Sequence, residues 1–165
     1  MTEAAPAVNL ISALMFLFWL WFVLTGVLLA VIDVRIHRLP NVLVGLTFVI
    51  GSLLLFVHGL LIHSHSQFTS AALGAVTLVL AYGVLHLLGG IGMGDVKYAG
   101  VVGLYLGSLS WSALWWGTLV AFLLAASASV WKASIGQRRS DRVMAFGPAM
   151  VVGALAGALI SSRDG

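Results

Sequence analysis

The chain has 165 residues, of which 61% are hydrophobic and only 8% charged, and its formal net charge is +3 at pH 7. Because average soluble domains are about one quarter charged, this composition excludes an ordinary soluble protein and indicates an integral membrane protein. The absence of cysteine excludes structural disulfides, thiolate metal sites and a cysteine nucleophile. The length predicts a single domain over residues 1–165.

The first half of the sequence predicts three membrane-spanning helices. An uncharged run at 10–32 is long enough to cross the hydrocarbon layer, which takes about 20 apolar residues. The stretch DVRIHRLPN follows, and its Pro40 suits the first turn of a new helix, where a missing N–H costs nothing. A second span is predicted at 42–62, ending in the polar turn HSHSQ, and a third at 69–88.

The second half begins with the glycine-rich stretch GGIGMGDVKYAG and then has no charged residue from 99 to 131. A single helix over that run would be about 50 Å long, against a hydrocarbon core of about 30 Å. We therefore predict a break at GSLS, which gives a short fourth span at 96–106 and a fifth at 111–131. After a hydrophilic loop, a sixth span is predicted at 146–160. The predicted fold class is all-α, a polytopic membrane protein with six transmembrane helices.

Positively charged residues lie almost entirely on one side of the six predicted spans. The side that holds the loops after spans one, three and five contains seven of the eight Lys and Arg residues, if Lys97 at the start of span four is counted with it, and the other side contains only Arg163. Since cytoplasmic loops are enriched in Lys and Arg, these three loops are predicted to face the cytoplasm and both termini to lie outside. The sequence thus predicts a multi-pass protein of the cytoplasmic membrane, with the lipid bilayer as a partner and no nucleic-acid target.

Two of the five acidic residues, Asp33 and Asp95, lie at the cytoplasmic ends of predicted spans. Ionisable residues near membrane depth are costly and usually functional. Two close carboxylates share a proton, so the ionised one can activate water while the protonated one polarises a peptide carbonyl. This aspartic-protease hypothesis stands beside a structural alternative, in which Asp95 stabilises a helix N-terminus and Asp33 pairs with a nearby arginine. The loop residue Asp141, beside several arginines, is predicted to be a solvated charge.

The glycines before Asp95, among them Gly92 and Gly94, leave the approach to its carboxylate free of side chains. A substrate backbone could therefore come close, and the chain can turn there without steric cost. The stretch is not a Walker A motif, and an aspartate at the start of a helix would repel phosphate. These residues favour a peptide over a nucleotide as the ligand.

The histidines provide weaker signals. His58, His63 and His65 lie around the predicted outer turn, where interfacial histidines are more common than metal ligands. His86, just before the glycine-rich stretch, is close enough to touch the site, although a core or interfacial histidine is the commoner case. We predict no metal and no cofactor.

The pair of motifs IDVRIHRLPN and GMGDVKYAG resembles the prepilin peptidases, also called type IV leader peptidases. That family has an aspartate shortly before a Pro-Asn pair and, further along, a Gly-x-Gly-Asp-x-Lys motif. Here the second aspartate lies 62 residues after the first, and AFGPAM resembles a Phe-Gly-Pro element of the family. The resemblance implies that Asp33 and Asp95 are catalytic, that Gly92 and Gly94 are motif glycines, and that Lys97 either supports the site or anchors the membrane face.

The resemblance also implies a reaction and a partner. Prepilin peptidases are membrane-embedded aspartic endopeptidases that remove the leader peptide from prepilins or pilin-like proteins at the cytoplasmic membrane face. Larger members have an additional cytosolic segment with paired Cys-x-x-Cys motifs, so a chain without cysteine resembles the short, peptidase-only form of Tad/Flp pilus systems.

Two other functional classes stay open: a small proton-coupled transporter with Asp33 and Asp95 as its proton relay, and a non-catalytic assembly partner. The sequence predicts no oligomeric state and does not identify the pilin.

Overall fold

A computed structural model of the protein describes residues 4–36, 39–89, 91–134 and 146–163. Within these ranges the secondary structure is all-α, as the sequence predicts. The helices are α1 Ala4–Ile36, α2 Asn41–Leu61, α3 Ser66–Leu87, α4 Met93–Gly107, α5 Trp111–Ser134 and α6 Gly147–Ser161. Helix α5 extends to Ser134, so it includes the first residues of the loop predicted between spans five and six. The rest of that loop, 135–145 with Asp141, lies outside the described residues.

Four of the helices are long and apolar enough to cross a membrane. The candidate spans are Asn9–Ile36, Asn41–Leu61, Ser66–Leu87 and Trp111–Trp131. Helices α4 and α6 have only 15 residues each. At 1.5 Å per residue each is about 22 Å long, shorter than a hydrocarbon core of about 30 Å. The prediction of membrane helices is therefore confirmed for four of the six, and the six-span count stays a prediction.

The long apolar run breaks where the sequence predicts, since α4 ends at Gly107 and α5 begins at Trp111. The start of α5 is stabilised by Ser110, whose hydroxyl accepts a hydrogen bond from the backbone N–H of Ala113 at 3.0 Å. The same hydroxyl lies 2.7 Å from the hydroxyl of Ser161, in the last turn of α6. This polar contact ties the start of α5 to the end of α6.

Helix α4 lies at the centre of the bundle. Every residue from 98 to 107 is buried. Its Tyr105 ring stacks on Phe18 of α1 with ring centroids 4.1 Å apart, and the Tyr105 hydroxyl lies against Gly51 of α2. Because α4 is surrounded by other helices rather than by lipid, it needs neither the length nor the apolar surface of a lipid-facing span.

Close backbone contacts hold two pairs of helices together. A Cβ added to Gly74 of α3 would lie 2.5 Å from the carbonyl oxygen of Gly103 in α4. In the same way, a Cβ added to Gly153 of α6 would lie 2.5 Å from the carbonyl oxygen of Gly117 in α5. Small residues at such positions let helix backbones approach each other, which drives helix association inside a membrane. The α3–α4 pair fixes the position of the loop that leads into Asp95.

Candidate active site

Asp33 is a buried carboxylate at the end of α1. It is 5% exposed, and its Oδ2 accepts a hydrogen bond from the backbone N–H of Gly147 at 2.9 Å. Gly147 is the first residue of α6, so the positive end of that helix dipole faces the carboxylate. A Cβ at Gly147 would lie 2.9 Å from the same oxygen, so a larger residue here would displace the Asp33 carboxylate. The Phe-Gly-Pro element thus contacts the first aspartate directly.

Asp95 lies in the first turn of α4, outside the four candidate spans. Its Oδ2 accepts a hydrogen bond from the backbone N–H of Gly92 at 3.3 Å. Burial, and after it the charge of Asp33, raise the pKa of Asp95 from 3.8 to about 6, although the hydrogen bond from Gly92 acts in the opposite direction. The two predicted aspartates are therefore close enough to interact, at the same end of the bundle, and Asp95 holds its proton more readily than an ordinary carboxyl group.

The motif glycines differ in what they face. A Cβ at Gly92 would lie 3.3 Å from Asp95 Oδ2, whereas a Cβ at Gly94 would lie 3.4 Å from the Cβ of Leu39, an ordinary contact. Gly92 is therefore the glycine beside the carboxylate, and Gly94 faces the segment between α1 and α2. Gly89, at the end of α3, has a φ of 78°, in the left-handed region that glycine adopts without strain.

Lys97 connects the second motif to the first. Its Nζ donates a hydrogen bond to the side-chain Oδ1 of Asn41 at 2.9 Å. Asn41 is the first residue of α2 and the second residue of the Pro-Asn pair. The lysine of one motif and the asparagine of the other thus join the starts of α2 and α4, a contact that the sequence alone does not indicate.

His86 holds the turn that leads into Asp95. Its Nδ1 lies 2.7 Å from the carbonyl oxygen of Ile91, to which it donates a hydrogen bond. His86 is in the last turn of α3, and Ile91 precedes Gly92, the N-cap of α4. The sequence places His86 close enough to touch the site, but it does not predict this hydrogen bond to the glycine-rich stretch.

A comparison of the sequence with known families shows to which family the chain belongs. The model of the type IV leader peptidase family matches residues 15–132, which contain both aspartates and the Gly-x-Gly-Asp-x-Lys motif. The chain belongs to the type IV leader peptidase family. No curated protein and no solved structure matched it. Membership indicates a leader peptidase embedded in the membrane, in agreement with the resemblance drawn from the motifs.

This leader peptidase also has an aromatic cluster near the carboxylates, which the sequence does not predict. Tyr82 of α3, Phe122 of α5 and Phe146 pack against one another, with ring centroids 5.4 to 5.9 Å apart. Phe146 directly precedes Gly147, the residue that donates to Asp33. The sequence contains no signal for Tyr82 and Phe122, because aromatic residues in apolar helices are common and their partners lie on other helices.

No metal site is evident in the leader peptidase within the described ranges: no group of three or more His, Cys, Asp and Glu side chains there could hold an ion. Two histidines around the turn between α2 and α3 have packing contacts or are buried. His65 stacks on Phe56 with ring centroids 6.4 Å apart, and His58 is 6% exposed.

Proposed function

We propose that this leader peptidase is an aspartic endopeptidase that cuts prepilins or pilin-like proteins with Asp33 and Asp95. The observation that carries the proposal is the convergence of the two carboxylates from α1 and α4, with the N-terminus of α6 behind Asp33. Two interacting carboxylates in unlike surroundings are the arrangement that separates an acid from a base. Asp33, which accepts an N–H and faces a helix N-terminus, is suited to the ionised role, and Asp95 to the protonated role.

In the proposed reaction, ionised Asp33 takes a proton from water while the water oxygen bonds to the carbonyl carbon of the scissile peptide. Asp95 gives its proton to the carbonyl oxygen, which yields a tetrahedral diol. When the C–N bond breaks, the proton on Asp33 passes to the leaving amine and a hydroxyl proton of the diol returns to Asp95. The products are a carboxylic acid and an amine, and both aspartates regain their starting state. This is general acid–base catalysis and needs no covalent intermediate.

The proposal includes a topology with six spans and the site at the cytoplasmic face. The seven-to-one distribution of Lys and Arg supports that orientation. The short helices α4 and α6 then cross the membrane inside the bundle, where α4 is surrounded by protein. A prepilin has its apolar helix directly after the cut, so a protease embedded in the bilayer can bind that helix from the side while the basic leader stays in the cytosol.

The transporter alternative is not favoured, because the family match supports a peptidase. In addition, Asp33 and Asp95 lie in the end turns of α1 and α4, and proton-relay acids in transporters usually lie near the bilayer midplane.

The decisive experiment replaces each acid in turn. Asp33→Asn and Asp95→Asn should each reduce cleavage of a co-expressed prepilin by at least about 100-fold, since each removes one partner of a general acid–base pair. Cleavage is measured by gel shift, alongside the abundance of each variant in the membrane fraction. Asp141→Asn, in the cytosolic loop, is the control and should cut normally. Loss of cleavage with Asp141→Asn but not with Asp95→Asn would overturn the assignment of Asp95 as a catalytic acid.

A further inference from the structure

Tyr82 is a buried phenol on the face of α3 that packs in the bundle. It is 1% exposed, and it continues a row of buried residues on α3 that recur at helical spacing, namely Ala71, Gly74, Ala75 and Leu78. Its ring is fixed from two sides, by Phe122 at 5.4 Å and by Phe146 at 5.9 Å between ring centroids. The phenol is thus held in one place by packing.

The packing of α3 on α4 places Tyr82 at the level of Asp95. Three close contacts define an antiparallel register: Gly107 with Ala71, Gly103 with Ala75, and Gly100 with Val79. The residue number on α3 rises as the number on α4 falls, so about one further turn brings Asp95 level with Tyr82.

The same ring also lies near the other aspartate. Phe146, which packs against Tyr82, is adjacent in sequence to Gly147, the donor to Asp33. Tyr82 therefore lies between the structural supports of both carboxylates. A phenolic O–H can donate one hydrogen bond. The group that develops negative charge in peptide hydrolysis is the scissile carbonyl oxygen, and a fixed donor aimed at it lowers the barrier.

We propose that Tyr82 is a third catalytic residue, whose hydroxyl donates a hydrogen bond to the scissile carbonyl oxygen beside Asp95. The inference rests on the proposed aspartic mechanism and adds a donor to it. Tyr82 transfers no proton in the reaction. It stabilises the charge on the oxygen until Asp95 has protonated it.

The test is Tyr82→Phe, which removes the hydroxyl and keeps the ring that packs against Phe122 and Phe146. With purified enzyme and a peptide that joins a short basic leader to an apolar helix, kcat should fall about 100-fold, as for loss of one oxyanion donor. KM should stay within about twofold, because the donor acts on the transition state rather than on the bound helix. Membrane abundance and Tm should match the wild type.

Tyr105→Phe is a matched control, since it deletes a buried hydroxyl that has no hydrogen-bond partner within the part of the chain that the structure describes. It should cleave at the wild-type rate. The proposal for Tyr82 is overturned by an unchanged kcat, by a rise in KM alone, or by a loss of kcat that follows a loss of Tm. Asp95→Asn is measured in the same preparation: if it cleaves normally, the aspartic mechanism itself fails, whereas an inactive Asp95→Asn with an active Tyr82→Phe rejects only the third residue.

Discussion

At the scale of single residues, the contact between Asp33 and Gly147 is the most constrained part of the site. The carboxylate is buried and accepts the Gly147 N–H at 2.9 Å. A methyl group added at Gly147 would lie 2.9 Å from Oδ2 and 3.3 Å from the Cβ of Asp33. The carboxylate cannot keep both its hydrogen bond and its position if that methyl group is present. The glycine of the Phe-Gly-Pro element is therefore explained by the need of Asp33 for a backbone donor.

We predict that Gly147→Ala lowers cleavage of a prepilin by at least about tenfold, since displacing a catalytic group by about 1 Å can cost about 100-fold. Loss of a hydrogen bond to a charged group should also reduce the free energy of unfolding by about 1.5–3 kcal/mol. The measurements are gel shift and Tm in detergent. Gly45→Ala on α2 is the control, because a Cβ there has no other described residue within 4 Å. Normal cleavage by Gly147→Ala would mean that the carboxylate tolerates displacement.

The position of Asp33 and Asp95 at helix ends could be predicted at this scale, because charge is rare in an apolar chain, and their catalytic role stays a proposal. The spacing of the motif favours Gly94, directly before Asp95, as the point of close approach, but it does not show which glycine faces the carboxylate. Gly92 and Gly94 both lie close to Asp95 in sequence, and only the backbone conformation before α4 shows that Gly92 faces its oxygen. Tyr82 was missed because its relation to Asp95 depends on the register of α3 against α4, which sequence periodicity does not contain.

At the scale of helices, the starts of α2 and α4 are joined by one exposed contact. The Lys97–Asn41 hydrogen bond is 2.9 Å long and lies at the end of the bundle that holds both carboxylates. An exposed polar pair contributes little to stability. The contact should instead affect the relative position of the two carboxylates. Asn41 follows the segment after Asp33, and Lys97 follows Asp95 by two residues.

We predict that Asn41→Ala and Lys97→Ala each lower cleavage about three- to tenfold, and that the double variant is no worse than either single one, because both remove the same contact. The cleavage rates of the wild type, the two single variants and the double variant form a double-mutant cycle. Arg35→Ala removes another exposed cation at the end of α1 and should have little effect. A silent Asn41→Ala together with an impaired Lys97→Ala would assign Lys97 to membrane anchoring instead.

At the scale of the whole molecule, hydropathy predicts the four long helices directly, but it gives only an indirect indication of the central helix α4. Helices α1, α2, α3 and α5 are identified as spans by length and apolarity. Helix α4 was predicted because the apolar run is too long for one helix, and its boundary was placed at Val96 instead of Met93. The first turn of α4 is polar because it holds Asp95 and Lys97, so apolarity alone places its start too late.

The number of membrane crossings decides where the cationic loop after α5 lies. If α4 crosses the membrane, Ser134 at the end of α5 faces the cytoplasm, opposite Ser64 in the turn between α2 and α3. If α4 does not cross, α5 ends on the outer side and Ser134 lies on the same side as Ser64. That second arrangement would put Lys132, near the end of α5, and the cationic loop after it outside. This would go against the usual enrichment of Lys and Arg on the cytoplasmic side.

We therefore predict that Ser64→Cys and Ser134→Cys react from opposite faces with a thiol reagent that does not cross the membrane. The wild-type chain has no cysteine, so it gives no background signal. In intact cells Ser64→Cys should label and Ser134→Cys should not. After the membrane is permeabilised both should label, which controls for accessibility. Labelling of both variants in intact cells would reject the six-span arrangement, because it is the result expected if α4 does not cross the membrane.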